Sequence, residues 1–179
     1  MWCTSAILPA RRDWDDWVVL EHQSAITQLL ESEHSASAFA LARPAYEALV
    51  KGLWLYYCAN NAQLEKHAKK PKGKEVSELG VRISQLLKTD LPEVIPKSLD
   101  QVRSRYWDTL SSLAHVGHAQ VRNWLNPDGV KARYPLAALE ELANFANFMA
   151  LVAGRELAHR AGNSEHVELL TDMLPPSLV

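Results

Sequence analysis

Two side chains of opposite charge stand four residues apart in a stretch that is otherwise almost wholly apolar. The stretch covers residues 36–60, and the pair is Arg43 and Glu47. A helix turns about 100° per residue, so this spacing brings both groups toward one face, together with Trp54 and Tyr57. On an exposed helix such a pair contributes roughly a few tenths of a kcal/mol, whereas an isolated buried charge is very costly. The spacing leaves two interpretations open: an ion pair that only fixes helix packing, or a cation and a carboxylate positioned beside a cavity.

A second concentration of polar side chains lies in residues 110–124. His115 and Arg122 are seven residues apart, so an unbroken helix would show both on one face. Gly117 lies between them, and a glycine inside a helix usually marks a bend or the close approach of another backbone. His115 is then either a core histidine bonded to a neighbour or, beside the charged pair described above, a group that transfers protons near neutral pH.

We predict that these two segments form one polar pocket, built on Arg43, Glu47 and His115, which binds a ligand or partner. We expect a small molecule or RNA, and Trp107 is a further candidate for the pocket wall. Whether the pocket also catalyses a reaction is left open, and the candidates for catalysis are Glu47, His115 and Arg122. The residues expected to contact the ligand come from both segments: Arg43, Glu47, Trp54, Tyr57, His115, His118, Gln120 and Arg122.

The alternative function is a metal-independent RNase or toxin of the phage-defence type. His115 would act as general acid or base, Arg122 or Arg43 would stabilise phosphate charge, and Glu47 would orient one of them. A third interpretation is a structural or assembly protein in which the charged pair only specifies packing.

Metal and cofactor motifs give no support for a bound group. The pattern Glu-x-x-His, which supplies metal ligands in carboxylate helical bundles, occurs at Glu31–His34 and Glu156–His159. About half a match is expected by chance, so we predict no metal site. The sequence has no P-loop, GxSxG elbow, glycine-rich dinucleotide loop or zinc CxxC pair, and we expect no cofactor.

One match to the Arg-x4–6-His pattern of HEPN ribonucleases occurs, at Arg160 and His166. It spans Gly162 and Asn163 near the end of the chain. Because about one match is expected by chance, we do not count it as a catalytic motif.

Composition places the chain among ordinary soluble domains. Of its 179 residues 47% are hydrophobic and 22% charged, and the net charge of −2 gives no general attraction to nucleic acid or membrane. Two distant cysteines, Cys3 and Cys58, indicate reduced thiols and a cytoplasmic location. Since no basic region precedes the short apolar run at the start, we expect no signal peptide. We also expect no membrane-spanning helix, because Glu47 and Lys51 interrupt the most apolar stretch, and we expect a homodimer.

The elements that must position the candidate residues are helices, since no segment alternates as a strand does. We predict an all-α fold, a helical bundle of four long helices with two or three short ones, forming a single domain over 1–179. Pro44 is expected inside a kinked but continuous second helix. The predicted long helices are about 12–31, 35–60, 98–125 and 135–161, the short ones about 60–70, 75–88 and 164–173, with an arm at 1–10, a proline-rich connector at 89–96 and a tail at 174–179.

The same two segments resemble a family of uncharacterised bacterial all-helical proteins. The first part of the family pattern is matched by Arg43, Pro44, Glu47, Gly52, Trp54, Leu55, Cys58 and Ala59. The second part is matched by His115, Gly117, Gln120 and Val121, with Arg122 one residue early, and residues 144–154 extend the likeness. The resemblance implies that Arg43, Glu47, His115 and Gln120 belong to one pattern. The family is loosely similar to abortive-infection and HEPN-type helical domains.

Overall fold

The computed structural model describes residues 14–68, 78–115, 117–126, 129–130 and 133–176. Within these ranges the chain is all-α, as predicted, and the four long helices are accompanied by four short ones and a minimal hairpin. The elements are α1 Trp14–Glu31, α2 Ser35–Tyr57, α3 Asn61–Ala68, α4 Leu79–Leu86, α5 Val94–Ala114, α6 His118–Trp124, β1 Leu125–Asn126, β2 Gly129–Val130, α7 Leu136–Arg160 and α8 Ser164–Asp172.

Helix α2 is the centre of the fold, since α1, α4, α5 and α7 all pack against it. Apart from Arg43, Glu47 and Lys51 its sequence is almost wholly apolar, as is typical of a helix surrounded by others. It runs continuously through Pro44, which confirms the predicted continuous helix. The residues of the main core are fully or almost fully buried; those that α2 contributes are Ala38, Ala42, Ala45, Tyr46, Leu49, Val50 and Leu53.

Small residues let α1 lie close to α2. A Cβ atom added at Gly52 would lie 2.9 Å from Cβ of Asp15, so only glycine allows this approach. The buried face of α1 carries Asp16, Val19 and Ile26, whereas Trp17 is 62% exposed. The inner face of α1 therefore holds a charged residue, and one of its tryptophans lies outside.

Helix α5 runs antiparallel to α2. Tyr46 donates from its hydroxyl to the carbonyl oxygen of Leu99 at 2.7 Å. Farther along α5, Trp107 lies over the side chain of Arg43. Going back along α2 from Tyr46 to Arg43 therefore corresponds to going forward along α5 from Leu99 to Trp107.

The predicted boundaries of α5 were wrong at both ends. The helix begins at Val94, with Pro96 in its first turn, where a backbone N–H has no partner within the helix. It ends at Ala114, and α6 starts only at His118. A Cβ at Gly117 would lie 2.9 Å from both the Cα and the carbonyl oxygen of Ser112, which shows how tightly the chain turns there.

The C-terminal hairpin of helices follows the predicted pattern. Helix α7 begins directly after Pro135, and Gly162 adopts a φ of +71° just past its end, as is common at helix ends. By length and composition alone α7 could cross a membrane, with a mean hydropathy of 1.3 in its most apolar window, a test that core helices of soluble proteins also pass.

Candidate functional site

The predicted pair on α2 is formed. Nε of Arg43 donates to Oε1 of Glu47 at 2.7 Å. Arg43 is only 9% exposed, and its Cζ lies 4.5 Å from the centre of the Trp107 ring. The Glu47 side chain is 39% exposed. A buried, stacked arginine thus holds a carboxylate that still faces solvent, which fixes the direction of that carboxylate.

Glu47 lies in a cleft of about 340 Å³ between four helices. Helix α2 forms the floor, α1 and α4 form the two walls, and Trp107 of α5 closes one end. This volume is near the lower end of the range of small-molecule pockets, roughly 300–1,000 Å³. The lining residues are Asp15, Val18 and His22 of α1, Pro44, Glu47, Ala48 and Lys51 of α2, Leu79 and Arg82 of α4, and Trp107.

Arg82 supplies a fixed positive charge to the α4 wall. The residue is 7% exposed, its Nη2 donates to Glu78 at 3.1 Å, and its Cζ lies 5.0 Å from the centre of the Trp54 ring. Its Nε is buried and has no hydrogen-bond partner among the described residues. Trp54, predicted to contact a ligand, instead lies beneath Arg82 and donates its indole N–H to Gln85.

The α1 wall carries charges of its own. Nζ of Lys51 lies 3.6 Å from Oδ1 of Asp15, a contact made where Gly52 lets the two helices approach. His22 is half-buried, one turn along α1 from Val18. The lining of the cleft therefore holds two carboxylates, two permanent cations and one imidazole.

The second predicted segment lies elsewhere. His115 follows the last residue of α5 and is exposed, as are His118 and Arg122. A helix rises 1.5 Å per residue, so His115 lies about 12 Å beyond Trp107 along α5. Among the described residues the lining of the cleft includes Glu47 and not His115. The break after α5 also separates His115 and Arg122, which an unbroken helix would have aligned.

Gln120 is the buried member of that segment. Its Nε2 donates to the carbonyl oxygen of Ala36 at 3.2 Å. Ala36 is seven residues before Arg43, about 10 Å along α2. Gln120 therefore joins α6 to the start of α2, about two to three helical turns before the charged pair.

Comparison with known proteins places the chain in a family. A model described as a family of unknown function, DUF6988, matches residues 17–174. The chain belongs to DUF6988. No curated protein and no solved structure matches it. The predicted membership in an uncharacterised all-helical family is confirmed at that level, and the similarity to HEPN-type domains stays a prediction.

A buried ionic network that the sequence analysis did not predict joins α1, α2 and α7. Asp16 and Glu156 are 0% exposed. Arg160 donates to Oδ2 of Asp16, and Arg155 donates to Oε1 of Glu156. Tyr57, predicted to contact a ligand, donates to Oε2 of Glu156 at 2.7 Å. Burial raises the pKa of the Tyr57 hydroxyl above its usual range, and the Glu156 charge adds to the effect.

The pKa of Asp16, in the same network, is also raised. Burial raises the pKa of its carboxyl to about 7, although the positive charge of Arg160 acts in the opposite direction. Oδ1 has no hydrogen-bond partner among the described residues. The sequence signal for such a network is a charged residue at a core position of an apolar helix, as at Glu156 in α7.

The two weak motifs do not assemble into sites. Glu156, of the second Glu-x-x-His pattern, is engaged by an arginine and a tyrosine, and the described residues hold no group of three metal-ligating side chains. Arg160, of the Arg-x4–6-His match, points into the core toward Asp16 and lies over the ring of Tyr56. His166 is exposed on α8, beyond the turn at Gly162.

Proposed function

We propose that the protein binds a small molecule in the cleft between α1, α2, α4 and α5, and that the ligand donates to the carboxylate of Glu47. The observation that carries the proposal is the supported position of this carboxylate. Arg43 is stacked on Trp107 and bonded to Oε1 of Glu47, so the carboxylate is held in place before any ligand arrives. Preorganised groups of this kind lose little entropy on binding.

The burial of the pair supports a binding role over a packing role. A pair that only fixes packing would be covered on both sides. Here the cation is covered, while the side chain of Glu47 keeps 39% of its surface exposed beside a cleft. An ionised carboxylate can accept several hydrogen bonds, and the arginine uses one of its two oxygens. The Glu47 carboxylate can therefore accept further hydrogen bonds from a molecule in the cleft.

The shape and lining of the cleft support a small molecule as ligand. Five of its ten lining side chains are apolar: Val18, Pro44, Ala48, Leu79 and Trp107. A mainly apolar cavity with a few convergent polar groups is the usual form of a small-molecule site. The proposal thus keeps Arg43, Glu47 and Trp107 of the predicted set and builds the rest of the pocket from α1 and α4.

The test is a fragment screen observed by amide chemical-shift changes in the purified protein. We expect fragments with an N–H or ammonium donor to shift the signals of cleft residues. Glu47→Gln should weaken these fragments at least ten-fold, because the charge-assisted hydrogen bond is lost. The matched control is Glu93→Gln, which removes a carboxylate from an i, i+4 pair with Lys97 at the same 2.7 Å distance but on an exposed surface. Equal binding by parent and Glu47→Gln, or no cleft-binding fragment at all, would refute the proposal.

An RNase remains a second candidate on one observation: His115, His118 and Arg122 are all exposed within one short segment. Accessible histidines beside a cation are what cleavage of RNA without metal requires. Induced expression should then arrest growth and cleave RNA, and His115→Ala should abolish both effects. Arrest that persists unchanged in His115→Ala would remove this candidate.

A further inference from the structure

We propose that the ligand of the cleft is a small zwitterion of the amino-acid type, with its ammonium group on Glu47 and its carboxylate on Arg82 and Lys51. This inference rests on the proposed binding function of the cleft and adds the chemical class of the ligand. It follows from the distribution of charge, from the unsatisfied donor of Arg82 and from the size of the apolar wall.

The charges of the cleft come in both signs and from different helices. Glu47 and Lys51 stand on the floor, Asp15 on the α1 wall and Arg82 on the α4 wall. Their formal charges cancel. A ligand with several negative charges would meet two carboxylates, and a simple cation would meet two permanent positive groups. A ligand with one charge of each sign is matched to this arrangement.

Arg82 is the group that points to an anionic part of the ligand. Its guanidinium is held in one orientation by Glu78 and by the ring of Trp54. With 7% exposure it is almost withdrawn from water, and its Nε–H has no acceptor among the described residues. A buried donor without an acceptor is unfavourable. The planar fork of an arginine fits the two oxygens of a carboxylate, so a ligand carboxylate would supply what is lacking.

Lys51 can serve the same ligand group. Its ammonium lies 3.6 Å from the Asp15 carboxylate, longer than the roughly 2.7–2.9 Å of a direct charge-assisted hydrogen bond. An ammonium group has three donors, and its side chain is 26% exposed. Lys51 is also one helical turn from Glu47, so a bound molecule whose two charges are a few ångströms apart can reach both.

The remaining lining limits the size and polarity of the ligand. Val18, Leu79 and Trp107 offer an apolar surface, and the whole cleft measures about 340 Å³. This volume accommodates an amino acid with an apolar side chain. A polyphosphate would place like charges beside Glu47 and Asp15, and no three metal-ligating side chains of the described residues are grouped so as to hold a metal ion.

The experiment titrates the full-length protein with the twenty amino acids and follows amide chemical shifts. The best amino acid is then compared with the amine and the acid that carry the same side chain; for leucine these are 3-methylbutylamine and 4-methylpentanoate. We expect the zwitterion to bind at least ten-fold more tightly than either analogue. Arg82→Gln should remove its advantage over the amine, because the zwitterion loses the partner of its carboxylate while the amine, relieved of one positive charge in the cleft, binds at least as tightly as in the parent.

Two further variants keep the test decisive. If Arg82→Gln does not fold, Lys51→Gln, at a more exposed position, is expected to reduce the same advantage. Arg103→Gln is the control, because Arg103 is a partly exposed arginine of α5 paired with Asp100 outside the cleft, and it should leave all three affinities unchanged.

The outcomes separate this inference from the function on which it rests. If amines and other fragments bind at Glu47 but no zwitterion is preferred, the ligand class is wrong and the binding function stands. If neither amino acids nor fragments bind in the cleft, both are wrong. If Arg82→Gln and Lys51→Gln both keep the full preference for the zwitterion over the amine, the carboxylate of the ligand does not lie on Arg82 and Lys51.

Discussion

Replacement of Asp16 by asparagine tests the buried ionic network directly. Asp16 is fully buried, accepts a hydrogen bond from Arg160 through Oδ2, and has no partner for Oδ1 among the described residues. Burial raises the pKa of its carboxyl from an ordinary 3.8 to about 7. Asparagine has nearly the same shape but does not titrate. The variant therefore removes the pH dependence and keeps the volume.

The sign and size of the effect follow from proton linkage. Between pH 4 and pH 7 the folded protein holds a proton on Asp16 that the unfolded chain has released. The free energy of unfolding therefore falls as the pH rises through this window. The two pKa values differ by about three, and each unit corresponds to about 1.4 kcal/mol. The contribution of Asp16 to the free energy of unfolding is greatest below about pH 4, and above pH 7 it is smaller by about 4 kcal/mol.

The assay is urea unfolding of parent and Asp16→Asn at half-unit steps from pH 4 to pH 8.5. We expect the stability of the parent, relative to the variant, to fall by about 4 kcal/mol across this range. Asp15→Asn controls for the loss of an acid from the first turn of α1. A stability difference between parent and Asp16→Asn that stays constant from pH 4 to pH 8.5 would refute a protonated Asp16 in the folded state.

Three other substitutions test local geometry. Gly117→Ala should destabilise the protein by about 1–3 kcal/mol, because its Cβ would lie 2.6 Å from Oγ of Ser112; urea unfolding measures this. Gly154→Ala, whose Cβ would make only ordinary contacts, should instead stabilise α7 by about 0.5–1 kcal/mol. Tyr57→Phe should cost about 1–3 kcal/mol, because it removes the 2.7 Å hydrogen bond to the buried carboxylate of Glu156.

The controls for these substitutions lie close by in the chain. Tyr56→Phe removes a hydroxyl from the neighbouring position and leaves the Glu156 bond intact, so its stability should stay within about 0.5 kcal/mol of the parent. If Tyr57→Phe matches Tyr56→Phe, the hydrogen bond to Glu156 contributes nothing. If Gly117→Ala is as stable as the parent, the turn after α5 is looser than described.

Local signals in the sequence predicted the helices well. Helix α7 was predicted within one residue at each end, because proline precedes it and Gly162 takes the left-handed conformation that ends helices. The continuity of α2 through Pro44 was also predicted, since its apolar run begins well before the proline. The division of residues 98–125 into two helices was missed, because the turn at Gly117 depends on close contact with Ser112.

Only part of the candidate site could be predicted from the sequence, because contacts between helices do not follow from the spacing within one helix. Arg43 and Glu47 are one turn apart on a single helix, so their pairing follows from spacing alone. Trp107 of α5 was named as a candidate for the pocket wall, but His22 and Arg82, which reach the cleft from α1 and α4, were not, because their positions depend on packing between helices. Spacing within one helix carries no information about such distances, which is why His115 was placed beside the pair although it lies at the end of α5.

The measurement that tests the central claim most directly is the titration of parent and Glu47→Gln with the same cleft-binding fragment, with Glu93→Gln as control. The account predicts that amide signals around the cleft shift in the parent and in Glu93→Gln, and that affinity falls at least ten-fold in Glu47→Gln. Equal affinities in all three proteins would contradict it, because the carboxylate held by Arg43 would then have no part in binding.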